Sequence, residues 1–134
     1  GLLPSVAMVV AMLALPEWRA GVARVGIAYG AVIVSFIGGA WWGLACARAP
    51  AAPGARMLVL TVLPSLIAWP AVLLPAPTGL AVLALTFAVL LPTDARLQRE
   101  GVAPPWWMAL RRILSPGMAA LHAAGAAVLL LSPG

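Results

Sequence analysis

One imidazole, one thiol, one phenol, three carboxylates and eight arginines make up the titratable side chains of this 134-residue sequence. His122 stands in the middle of a long apolar run, where an ionisable group is costly and counts as a functional candidate by default. Its neighbours three and four residues away, Met118, Ala119, Gly125 and Ala126, are mostly small, so it is expected to face another helix. A neutral imidazole there could donate to a backbone carbonyl freed by a proline, ligate a haem or chlorophyll-type pigment, or handle a proton. Simple packing needs none of these ligands, and His122 is at most a weak cofactor-binding candidate. Cys46 is the single cysteine and has no second thiol for a disulfide or a cysteine cluster. Glu17, Asp94 and Glu100 read as connection residues, and no nucleophile stands beside a base. No catalytic residue, metal site or phosphate-binding loop is expected, and no enzyme activity.

Glycine spacing carries more information. Gly26 and Gly30, and again Gly39 and Gly43 with Gly38 adjoining, are four apart and share a helix face, which lets another backbone approach closely. A packing seam is predicted there; a hinge or solute-lined gap at Gly38 and Gly39 is the functional rival. Trp18, Trp41, Trp42, Trp106 and Trp107 all lie near charged residues and are expected to anchor at headgroup depth, with Arg111 and Arg112 turned outward. Trp69 falls deeper in its run and reads as packing.

These residues must be positioned by helices in lipid. Hydrophobic residues are 64% of the chain and charged ones 8%, against about 25% charged in an ordinary soluble domain. So few charges cannot cover a water-facing surface. The net charge of +5 is spread in ones and twos between apolar runs, so it reads as a topology signal and gives no basic patch for nucleic acid.

A charge at mid-bilayer costs about 2.5–3.5 kcal/mol on insertion scales, so charges divide the chain into spans. The predicted fold is an all-α integral membrane bundle of about five transmembrane helices in one domain covering 1–134, with spans near 2–16, 25–47, 57–74, 79–93 and 113–132. The uncharged stretch 57–93 is too long for one crossing and is divided at Leu74-Pro75-Ala76-Pro77-Thr78-Gly79. A short interfacial helix is expected before the last span. The first run, Gly1 to Pro16, lacks a preceding basic segment and is expected to be a retained helix and not a signal peptide; upstream residues are expected before Gly1.

Pro64 and Pro70 should bend the third helix, with Thr61 and Ser65 meeting the freed backbone groups and protein covering most of its surface. Six arginines, Arg48, Arg56, Arg96, Arg99, Arg111 and Arg112, fall on the second and fourth connections and two, Arg19 and Arg24, on the first. The positive-inside rule then predicts an N-in, C-out orientation. Abundant alanine, glycine, proline and arginine without lysine suggest a GC-rich genome and a bacterial cytoplasmic (inner) membrane.

The stretch Tyr29-Gly30-Ala31-Val32-Ile33-Val34-Ser35-Phe36-Ile37-Gly38-Gly39 followed by Trp42-Gly43, then Leu63-Pro64-Ser65-Leu66-Ile67-Ala68-Trp69, then Asp94, resembles the uncharacterised family of small bacterial and mitochondrial membrane proteins that includes transmembrane protein 69. That resemblance covers most of the chain. It implies a helical bundle and assigns no catalytic residue.

The function these residues suggest is contact: a non-catalytic accessory subunit or assembly factor packed against a larger respiratory or photosynthetic membrane complex. Its partners would be membrane lipids, some of them bound, and other transmembrane subunits. A small-solute transporter or channel acting as an oligomer is the alternative.

Overall fold

The computed structural model describes residues 1–48 and 54–132. They form five helices: α1 Leu3–Ala14, α2 Arg19–Arg48, α3 Ala55–Leu73, α4 Ala76–Arg99 and α5 Trp107–Leu131, with a 3-10 turn at Pro16–Trp18. Four of them, α2 to α5, are long and apolar enough to cross a membrane. The 12 residues of α1 rise only about 18 Å, short of a bilayer core of about 30 Å.

Proline and glycine punctuate the connections. Leu74 before Pro75 is extended (φ −73°, ψ 161°), which ends α3, and α4 starts with Pro75 at its N-cap and Pro77 in its first turn. At the other end of α4, Gly101 adopts φ +76°, and the Gly101 and Val102 amides donate to the Gln98 and Leu97 carbonyls. This is the 6→1 and 5→2 pairing of a Schellman motif, which needs a residue in the left-handed region. It reverses the chain and lays α5 back along α4.

The central helix is α2. Gly26, Gly30 and Gly38 share its buried face, and each admits a different neighbour: Met8 of α1, His122 of α5 with Leu83 of α4, and the Thr61 carbonyl of α3. A Cβ at Gly38 would lie 2.5 Å from that carbonyl, and one at Gly79 on α4 would lie 2.5 Å from the Ala71 carbonyl of α3. Close backbone approach at small residues is how helices associate where lipid removes the hydrophobic drive. Gly39 and Gly43 depart from the expected seam. They point out of the bundle, and outside the local helix backbone no described atom lies within 4 Å of where their Cβ atoms would be.

Two further expectations are overturned. No separate interfacial helix exists among the described residues; Trp107 to Arg112 are the opening turns of α5. And α3, expected to be mostly covered, is the least buried span, with 22% of its apolar window enclosed. Only the narrow stripe Thr61, Pro64, Ala68 and Ala71 turns inward, so Trp69, read as packing, is exposed. The Thr61 and Ser65 hydroxyls donate to the Leu58 and Val62 carbonyls, three residues back, and not to those that Pro64 and Pro70 release at Leu60 and Leu66.

At one end of the bundle, arginines finish helices. Arg19 Nε donates to the Met12 carbonyl near the end of α1, and one Arg24 guanidinium nitrogen donates to the Val72 and Leu74 carbonyls at the end of α3. Both satisfy carbonyls without an intrahelical partner and set positive charge at the negative end of the helix dipole.

Rigid backbone stands opposite Gly38 and Gly79, so Gly38→Ala and Gly79→Ala should each destabilise the bundle by about 1–3 kcal/mol, as overpacking does. Gly39→Ala should be neutral or slightly stabilising. Thermal unfolding in detergent reads the difference; equal melting temperatures for Gly38→Ala and Gly39→Ala would contradict this packing.

Candidate functional site

Asp94 is fully buried on α4. The same inward stripe carries Leu83, Phe87, Leu90 and Leu97, so the carboxylate occupies a core position. It lies five residues from the end of α4, about 7.5 Å along the axis. An isolated carboxylate in such surroundings would be very costly, and only partners make it tolerable.

Three donors converge on it from two other helices. Oδ1 accepts the indole N–H of Trp41 at 2.8 Å, from α2, and that of Trp107 at 2.7 Å, from α5. Oδ2 accepts Nε–H of Arg111 at 2.9 Å, also from α5. That ion pair is itself enclosed, the Arg111 and Asp94 side chains being 6% and 0% exposed. One turn on, Ser115 Oγ accepts from an Arg111 terminal nitrogen. Each carboxylate oxygen is thus engaged, and charge-assisted bonds of this kind are roughly twice as strong as neutral ones.

Local sequence explains the convergence. The Schellman turn at Gly101 returns the chain, and Trp107, Arg111 and Ser115 follow at four-residue intervals on one face of α5. Met118 and His122 continue that buried stripe. Trp41 reaches in from the buried face of α2, on which Gly38 lies one turn earlier.

Several sequence expectations change here. Trp41 and Trp107, expected at headgroups, are 2% and 9% exposed because their N–H groups are bound to Asp94. Trp18, Trp42 and Trp106 are exposed, and Trp106 meets Trp107 edge to face with centroids 5.9 Å apart. Arg111, expected outward, is buried, whereas Arg112 is exposed. Asp94, taken for a connection residue, lies within a helix. The signal was present: Leu83, Phe87, Leu90, Asp94 and Leu97 are spaced four, three, four and three, and Arg111 shares a face with His122 at intervals of four, three and four.

His122 is completely buried and faces other helices, as its small neighbours suggested. Nδ1 is 2.8 Å from the Met118 carbonyl of its own helix, and its ring lies 5.2 Å from that of Phe87 at a 45° tilt. Nε2 abuts Gly30 and has no hydrogen-bond partner among the described residues. The described residues contain no group of three His, Cys, Asp or Glu side chains that could hold a metal ion. His122 and Asp94 are not brought together: the former packs against α2 at Gly30, the latter against α2 at Trp41.

Removing one member of the buried pair leaves the other uncompensated. Asp94→Asn or Arg111→Met should cost about 3–5 kcal/mol, measured by thermal or SDS unfolding in mixed micelles. The double replacement Asp94→Leu with Arg111→Met should be milder than either alone. Trp41→Phe keeps the ring but removes a donor to a charged group, for about 1.5–3 kcal/mol, while Trp42→Phe should change little. Additive losses in the double variant would show that the two side chains do not interact.

Comparison with known proteins places the whole arrangement in a family. Transmembrane protein 69 of Xenopus tropicalis is 34% identical over 116 residues, which cover 86% of this chain and 46% of that protein. The chain therefore spans about half the length of that relative. No solved structure matches. The family model described as "Protein of unknown function (DUF3429)" matches residues 1–127, which hold His122 and the buried clamp of Trp41, Trp107 and Arg111 on Asp94, and this multi-pass membrane chain belongs to that family.

Proposed function

We propose that the chain is a non-catalytic accessory subunit or assembly factor that packs against a larger respiratory or photosynthetic complex in a bacterial cytoplasmic membrane. The observation that carries this reading is the outward GxxxG spacing of Gly39 and Gly43. Among the described residues nothing outside the local helix lies within 4 Å of a Cβ at either position, although the spacing is the one that brings helices together. Exposed Phe36 and Trp42 flank it, offering apolar area beside the small residues.

The buried polar groups support the same reading. Asp94 has both oxygens occupied, and the Arg111 guanidinium is spent on Asp94 and Ser115. Such a cluster holds helices together; it offers no free base and no nucleophile. We read His122 as a packing residue, because Gly30 and Phe87 stand directly against its ring, and we propose no haem or pigment. The transporter reading draws on Gly38, Gly39 and His122, and close packing at Gly38 and His122 lends it less support.

Mild extraction of the native membrane should yield the chain in a larger species on a native gel. Gly39→Leu with Gly43→Leu should release it while leaving its melting temperature unchanged. Wild-type chain that always migrates alone would count against the proposal. For orientation, the arginines at the Asp94 end of the bundle favour the cytoplasm there. A C-terminal green fluorescent protein fusion should then be dark and an alkaline phosphatase fusion active; the reverse pattern would invert the topology.

A further inference from the structure

A cleft runs between α3 and α4 from the charged end of the bundle into its apolar middle. The outer part, about 470 Å³, is lined by Arg56, Arg96 and Glu100 together with Leu60, Leu63 and Thr93. The inner part, about 310 Å³, shares those last three residues and continues along Pro64, Ile67, Leu85 and Val89. Its lining is almost wholly apolar, and it reaches Trp41 of the buried clamp. Of the inward stripe on α3, Pro64 lines the inner part.

We infer that the cleft holds one anionic glycerophospholipid of the surrounding bilayer, its phosphate between Arg56 and Arg96 and one acyl chain lying along Leu63, Ile67, Leu85 and Val89. Three features select this occupant. Both arginines are exposed at the cleft mouth, and Arg96 spends part of its donor set on Glu100 at 3.0 Å, leaving its terminal nitrogens for a phosphate. Basic pockets between transmembrane helices bind anionic headgroups on this principle. The depth also fits: Ile67 is 11 residues beyond Arg56 on α3, and Leu85 is 11 residues before Arg96 on α4. At 1.5 Å per residue both intervals are about 16 Å, close to half of a bilayer core of about 30 Å. Charge at one end and apolar lining over one leaflet's depth match a phospholipid better than a free anion, which would use only the mouth.

The test titrates the delipidated chain in detergent with phosphatidylglycerol or phosphatidylcholine and counts bound lipid by native mass spectrometry. Phosphatidylglycerol should bind at one per chain with an affinity on the order of tenfold higher than phosphatidylcholine, because its headgroup carries a net negative charge to the two arginines. Arg56→Gln with Arg96→Gln should abolish that preference, and Glu100→Gln should strengthen it. Leu63→Trp should lower occupancy by both lipids, because it fills the apolar part. Arg112→Gln, an exposed arginine that does not line the cleft, should leave binding unchanged. Inorganic phosphate at the lipid's concentration should not compete. Equal binding of the two lipids, loss of preference in Arg112→Gln, or full displacement by inorganic phosphate would each overturn the assignment.

Discussion

A carboxylate in apolar surroundings is very costly unless donors meet it, and this requirement at Asp94 organises one end of the molecule. Two indoles and a guanidinium arrive from α2 and α5, so three helices are fixed in rotation as well as in distance. Hydrophobic contact in lipid would not do this, since a leucine face is as comfortable against an acyl chain as against another helix. A hydrogen-bonded charge pair has one good arrangement. The glycine contacts at positions 26, 30 and 38 then set how closely the helices approach about that fixed point.

The two ends of the bundle use arginine differently. At the far end Arg19 and Arg24 close helix C-termini through carbonyls, which orders the junctions between α1 and α2 and between α3 and α4. At the near end Arg111 is withdrawn into the core, while Arg96 and Arg112 remain at the surface. A positive charge counted as a topology signal in a linear reading can therefore be a core residue, and Arg111 is one.

What was legible followed from what lipid forbids. Uncharged runs, proline turns and glycine spacing located five helices, because each reports a local requirement of the chain. Asp94 and Arg111 were misread because a lone charge and a paired charge look identical in sequence until the helical face is followed; Trp41 and Arg111 lie 53 and 17 residues from the carboxylate they meet. Trp41 and Trp42 show the same limit at closer range. Adjacent indoles of equal anchoring potential point to opposite environments, one on Asp94 and one exposed, and only the position of the helix in the bundle decides which. Gly38 and Gly39 divide likewise.

The Gly101 turn also decides where charge is compensated. Asp94 and Arg111 are borne on successive helices of one hairpin, with the left-handed glycine between them. The counter-charge of the carboxylate is therefore internal to the hairpin, and α2 adds only the neutral indole of Trp41. In this sense α4 and α5 form an electrically closed unit, so a change in how α1, α2 or α3 packs would cost a hydrogen bond but would strand neither charge.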